Sequence, residues 1–163
     1  MTVHLAAATD QPMPDRCLLV GDDPLVREGL ALALSHGFAR TAVTEVEGAA
    51  TAQRLFDAGG AYDLIVLDVA RREASAPGEL GALHARAPGT PIVVLTADTS
   101  TAAVASLLAA GARGVVATGA AVETLLDAVR AVLGGEVSVP PALLTSAPAR
   151  SPGTRAGPRA GPA

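Results

Sequence analysis

Lysine is missing from this sequence, and all twelve of its basic residues are arginine. Together with the many Ala, Gly and Pro residues, that bias is what a GC-rich coding sequence produces. Any chemistry that ordinarily rests on a lysine must fall to another group. Tryptophan is also absent, and Phe38, Phe56 and Tyr62 are the only aromatic residues, so a core has to be assembled from Ala, Val, Leu and Ile. Such small side chains suit close packing of helices on a sheet. With Cys17 as the single cysteine, neither a disulfide framework nor a thiolate zinc site is available. Its apolar surroundings make it a plain buried thiol. His4, His36 and His84 are scattered and suggest no shared site. No stretch reaches the roughly 18 consecutive apolar residues of a membrane span, since the richest, residues 99–112, is cut off by Arg113. The start lacks the charge and long apolar run of a signal peptide, so a cytoplasmic protein is the expectation. A net charge of −4 without an arginine cluster in the central region argues against a nucleic-acid surface there.

What is present is a repeating alternation. Residues 1–15 have no sustained period and read as a flexible leader. Cys17-Leu18-Leu19-Val20 is a continuous apolar run of the kind buried on both faces of a sheet, and Gly21-Asp22-Asp23 ends it. Asp23 can cap a following helix and Pro24 suits its first turn; Val26, Leu30, Ala33 and Leu34 then recur at helical spacing until Gly37. Residues 39–45 give a second strand and residues 49–58 a helix with Ala52, Leu55 and Phe56 inward, broken by Gly59-Gly60. Leu64-Ile65-Val66-Leu67 forms a third strand ending at Asp68, and Leu80, Leu83 and Ala87 mark a short helix. Ile92-Val93-Val94-Leu95 is the fourth strand, followed by Thr96, with Val104, Leu107 and Leu108 inward from the next helix. Residues 114–117 make the fifth strand, and Val122, Leu125, Leu126, Val129 and Leu133 line the fifth helix before Gly134-Gly135.

Five strand–helix units in alternation predict a doubly wound α/β fold, a five-stranded parallel sheet covered by helices on both faces as a three-layer (βα)5 sandwich. Chain length allows one such domain plus tails, set at residues 16–139. Residues 140–163 hold six prolines and three arginines without an acid and read as a disordered tail.

In open parallel sheets ligands gather beyond the carboxyl ends of the strands, where strand order reverses. Asp22 and Asp23 close the first strand, Asp68 the third and Thr96 the fourth, so the four can converge on one rim. Three carboxylates held together repel, and a proton or cation must offset them. An all-oxygen site of high charge suits Mg²⁺, which leaves room for a phosphoryl group. Asp68, alone at its strand end, is the candidate nucleophile for forming an aspartyl phosphate. Asp22 and Asp23 look like a metal clamp, and Thr96 can donate its hydroxyl to a phosphoryl oxygen. Taken singly, Asp23 could be only a helix cap, Asp68 the start of a turn and Thr96 a cap for the helix after it.

These residues resemble the receiver domain of two-component response regulators, over about residues 16–141. Val20-Gly21-Asp22-Asp23-Pro24-Leu25-Val26-Arg27-Glu28-Gly29-Leu30 is similar to the opening acidic motif and first helix of that family, apart from one residue usually present before the proline. Tyr62-Asp63-Leu64-Ile65-Val66-Leu67-Asp68 resembles its phosphoacceptor strand, and Val93-Val94-Leu95-Thr96-Ala97 its switch-threonine strand. Ala109-Ala110-Gly111-Ala112-Arg113-Gly114 with Gly135-Glu136-Val137-Ser138-Val139-Pro140 is similar to the branch usually joined to a LuxR-type helix-turn-helix. The resemblance implies a flavodoxin-like fold and a phosphoryl group on Asp68, taken from a histidine kinase or other phosphodonor. It also implies Mg²⁺ held by Asp22, Asp23, Asp68 and the backbone carbonyl of Ala70, and a homodimer through the last two helices.

Three positions depart from the family. Thr118 stands where it has a lysine, Val115 where it has an inward-swinging aromatic, and Val69-Ala70-Arg71-Arg72-Glu73 replaces a Met-Pro-Gly turn. A threonine hydroxyl can donate a hydrogen bond but cannot neutralise an acyl phosphate. Arg71 or Arg72 could reach back and supply that charge; an exposed basic loop is the simpler expectation. A receiver that has lost phosphorylation and acts by docking or small-ligand binding is an alternative function. A metal-dependent phosphatase is another, although the second acid such enzymes need is here Ala70. Direct DNA binding is not expected, because the chain runs into the Pro/Arg/Gly tail where a helix-turn-helix would begin.

Overall fold

Continuous apolar runs become strands buried on both sides because neither face of such a strand tolerates water. In the computed structural model, which describes residues 12–145, β1 (Arg16–Val20) leads into α1 (Pro24–Gly37), β2 (Ala42–Val46) into α2 (Ala49–Asp57) and β3 (Leu64–Asp68) into α3 (Ala76–Arg86). β4 (Ile92–Thr96), α4 (Thr101–Ala109), β5 (Gly114–Ala117), α5 (Val122–Leu133) and a short α6 (Pro141–Thr145) follow. The strands form one parallel sheet in the order β2-β1-β3-β4-β5. The chain therefore winds outward from β1 to β2, then returns past β1 to lay β3, β4 and β5 on its other side.

Alternation along the strands divides the core into two layers. Leu18, Val20, Ile65, Leu67, Ile92, Val94 and Val115 face Ala52 of α2, Leu80 and Leu83 of α3 and Val104 and Leu107 of α4. Cys17, Leu19, Leu64, Val66, Val93, Leu95 and Val116 face Leu34 of α1 and Leu125, Ala128, Val129 and Val132 of α5. Each fully buried Leu or Val adds about 1.5–3 kcal/mol over leaving it exposed, which is how a core nearly free of aromatics holds. Burial pushes the Cys17 thiol up to about 12, keeping it protonated and inert.

Element boundaries differ from the sequence pattern in specific places. β2 begins at Ala42 rather than residue 39, because Phe38 is buried as the C-cap of α1 and the Thr41 N–H closes a turn onto its carbonyl. α3 starts a turn before its first large apolar residue, with Pro77 in its first turn. Val26 and Val122, expected on inward stripes, are exposed; Ala31 packs inward from α1, and Ala128 and Val132 do so from α5. Within the stretch read as a patternless tail, residues 141–145 form α6, with Leu143 against the core. Residues 1–11 and 146–163, most of the expected leader and tail, lie outside the described residues. The segment before α6 protects the outer edge of β5: Val115 donates to the Ser138 carbonyl and Ser138 to that of Arg113.

Candidate functional site

The winding reverses between β1 and β3, so the carboxyl ends of these two neighbours make the crevice where ligands collect. Gly21 follows β1 without a side chain, and a Cβ there would lie 3.4 Å from that of Asp68. The acidic turn after β1 thus packs directly beside the end of β3. The charges of Asp22, Asp23 and Arg72 all act on Asp68, so the structure brings these groups to one rim.

Asp68 is buried, only 7% exposed. Its Oδ1 accepts from the Ala70 N–H at 3.0 Å, the turn expected of an aspartate at a strand end. Burial is the largest influence on its carboxyl and raises its pKa. The Ala70 N–H and Arg72 pull it down, while Asp22 and Asp23 push it up. Asp23 is the N-cap of α1, its Oδ1 accepting from Leu25 and Val26 at 3.0 and 3.3 Å. Capping uses one oxygen and leaves the other, so the cap and the acidic rim are one residue in two roles.

The loop after Asp68 is not simply an exposed basic stretch. Arg71, its side chain 68% exposed, lies 3.5 Å from Asp23 Oδ2. Arg72 is more enclosed: its Nε is 3.6 Å from Asp22 Oδ2, its Nη2 donates to the Asp68 carbonyl at 3.3 Å, and its Nη1 pairs with Glu79. At 3.6 Å the Asp22 contact is an ion pair and not a hydrogen bond, which agrees with Nε having no hydrogen-bond partner. Ser75 holds the other oxygen of Glu79 at 2.8 Å and so fixes the fork.

Thr96, at the end of β4, is fully buried. It does not cap α4, a role taken by Ser100 through the Ala103 N–H. Its hydroxyl donates to Glu73 Oε2 at 2.7 Å and accepts from the Asp98 N–H at 3.1 Å. The Ala97 N–H donates to Glu73 Oε1 at 2.6 Å. Glu73 was missed in the sequence because a single glutamate in a loop carries no periodicity or motif; its only signal was its place in the unusual turn after Asp68. Thr118 is exposed beyond β5 and anchored by its N–H on the Thr96 carbonyl at 3.0 Å, while Val115 is buried in the core.

The donor set of Asp22, Asp23, Asp68 and the Ala70 carbonyl is all oxygen, which suits Mg²⁺ in kind. Among the described residues no three acidic, histidine or cysteine side chains form a ready metal cage. Asp22 and Asp23 are instead balanced by arginines of the β3–α3 loop. No helix among the described residues is long and apolar enough to cross a membrane.

Comparison with known proteins agrees with this architecture. Residues 17–130 match the response regulator receiver domain family. A curated relative, the glycerol metabolism activator of Pseudomonas putida, is 28% identical over 129 residues; the match covers 79% of this chain but only 58% of the relative's length. Among solved structures, a LuxR family DNA-binding response regulator from Silicibacter pomeroyi aligns with a TM-score of 0.70 at 28% identity, covering 78% of this chain and 98% of the other. A LuxR family two-component response regulator from an Aurantimonas species aligns at 0.71 and 25%, covering 79% and 91%. With its (βα)5 sheet, its acidic crevice at the strand reversal and a family match over most of its length, the chain belongs to the receiver domains of two-component response regulators.

Proposed function

We propose that Asp68 is the phosphoacceptor of this receiver domain and that Arg72 supplies the positive charge for which the family uses a lysine. A carboxylate oxygen of Asp68 attacks the phosphorus of a phosphodonor, a histidine kinase or a small acyl phosphate. The new O–P bond forms as the bond to the imidazole nitrogen or to the acetate oxygen breaks, and the leaving group departs with that electron pair. The observation that supports this reading is a nearly buried aspartate at the strand reversal with a guanidinium on its own carbonyl. Burial strengthens the attraction between that guanidinium and an incoming anion, and Arg is well suited to phosphate oxygens.

Asp22, Asp23, Asp68 and the Ala70 carbonyl would hold Mg²⁺. A bound ion would neutralise charge on the phosphoryl oxygens and help orient the donor. Arg71 at Asp23, largely in solvent, would give way to the cation at little cost. Thr96 would donate its hydroxyl to a phosphoryl oxygen. Phosphorylation then shifts the balance between two arrangements of the domain and so changes its affinity for partners, with a homodimer through α4 and α5 as the form of output. Action is cytoplasmic in this reading.

Intact-mass measurement after incubation with acetyl phosphate and Mg²⁺ tests the reading. One added phosphoryl group that disappears in Asp68→Ala is expected; a folded wild-type protein with no adduct from either acetyl phosphate or a panel of histidine kinases would overturn it.

A further inference from the structure

The β3–α3 loop carries a contact that the proposed chemistry does not use. Glu73 presents both carboxylate oxygens to the end of β4, Oε2 to the Thr96 hydroxyl at 2.7 Å and Oε1 to the Ala97 N–H at 2.6 Å. A hydroxyl and a backbone N–H that grip the two oxygens of one anion make a bidentate anion seat with short, charge-assisted bonds. β3 and β4 pair so that Asp68 lies opposite Leu95, one residue before Thr96. The seat is therefore next to the carboxylate that would carry the phosphoryl group. Each of its donors has a single proton to give, so a phosphoryl oxygen and Glu73 compete for the same two hydrogens.

We propose that Glu73 is a positioning residue, a built-in anion that occupies the phosphoryl seat at Thr96 and Ala97, holds Thr96 inward before phosphate arrives, and must leave for a phosphoryl group to be bound. The inference rests on Asp68 being the phosphoacceptor. The same loop is tied at its other side, where Arg71 and Arg72 pair with Asp23 and Asp22. Residues 71–73 thus strap across the crevice with their cations on the acids and their anion on the donors. Phosphorylation exchanges Glu73 for phosphate and releases the strap, so the loop leading into α3 is the element that reports it. Repulsion between the Glu73 carboxylate and the incoming phosphate adds to the barrier.

The test uses the full chain, labelled with ¹⁵N, as wild type, Glu73→Ala and Glu73→Gln, each shown by thermal melting to be folded. Two readouts are taken: the Ala97 amide proton shift without phosphodonor, and the phosphorylated fraction by intact mass with acetyl phosphate and Mg²⁺. The expected result is an Ala97 proton far downfield in the wild type, moved upfield in Glu73→Ala and intermediate in Glu73→Gln. The phosphorylated fraction should rise about tenfold in Glu73→Ala, the equivalent of one charge-assisted hydrogen bond no longer competing. In the wild type alone, phosphorylation should also move the amides of residues 71–75. An Ala97 shift unchanged by Glu73→Ala would overturn the contact, whatever the phosphate does. A shifted amide with no gain in phosphorylated fraction would overturn the competition. No adduct in any of the three, with the amide shifted, would instead sink the phosphoacceptor reading and the exchange that rests on it.

Discussion

Arg72 Nε lies 3.6 Å from the Asp22 carboxylate while the other end of the same guanidinium reaches the Asp68 carbonyl at 3.3 Å, so one side chain spans the acidic crevice from β1 to β3. A chain without lysine thus has a cation beside Asp68, the proposed acceptor, delivered by the loop after β3 and not by the end of β5. Arg72→Ala should lower the phosphorylated fraction with acetyl phosphate about tenfold. It should also cost roughly 1–2 kcal/mol of stability, since Glu79 and Asp22 lose a partly enclosed partner. Arg72→Lys should recover part of the uptake, because it restores the charge without the fork. Uptake unchanged in Arg72→Ala would remove the arginine from the chemistry.

The neighbouring Arg71 offers a contrast. Its side chain is mostly in solvent, so its pair with Asp23 is screened and adds little to stability. Arg71→Ala should leave the melting temperature within experimental error and tighten Mg²⁺ binding several-fold in a calorimetric titration, as Asp23 no longer has a competing cation. A weaker Mg²⁺ affinity in this variant would show that Arg71 does not compete for the site.

Asp68 carries a pH dependence whose sign follows from its burial. Its folded-state pKa is raised, mainly by desolvation, so between the ordinary aspartate value and the folded value the native state binds more protons than the unfolded chain. Its contribution to stability is therefore best at low pH and falls as pH rises through that window. Asp68→Asn, which keeps an oxygen for the Ala70 N–H, should melt higher than the wild type at neutral pH, and the difference should vanish as pH falls below the ordinary aspartate range. Melting curves of the two proteins over pH 3–8 decide it, and a variant less stable at neutral pH would contradict the assignment.

The sheet was legible because its strands are buried on both faces and so appear as unbroken apolar runs, as in residues 64–67 and 92–95. Asp22, Asp23, Asp68 and Thr96 were legible for a related reason, since each stands where an apolar run ends. Helix faces were less so: Val26 and Val122 fit the apolar period yet are exposed in the first turns of α1 and α5. The partners of the loop could not be read at all. Whether Arg72 meets solvent or Asp22, and whether Glu73 meets solvent or Thr96, depends on a turn whose shape no spacing rule specifies.

Gly111 shows what a turn can demand of the chain. It ends the α4 region at φ +119°, and a Cβ there would lie 2.6 Å from Cγ and 3.0 Å from Cβ of His84 on α3. Gly111→Ala therefore meets both backbone strain and a collision close to the helix backbone. A loss of about 2–4 kcal/mol is expected by denaturant titration, with Gly89→Ala, which has open space, as the mild control. Equal effects of the two substitutions would refute the steric account.

Thr118 follows β5 at the carboxyl edge of the sheet, exposed, with its backbone held by the Thr96 carbonyl. Thr118→Lys puts an ammonium group where the family has one, at a position that tolerates a long side chain because nothing covers it. If Arg72 already supplies the charge, the lysine is redundant in the wild type and essential without the arginine. Thr118→Lys alone should then change acetyl phosphate uptake less than about twofold, while in the Arg72→Ala background it should recover most of the uptake lost. That non-additivity is the signature of two cations serving one anion, and the double-mutant cycle measures it directly. A large gain from Thr118→Lys in the wild type would mean that Arg72 leaves the phosphoryl group short of charge, and equal gains in both backgrounds would mean that the two residues act on different steps.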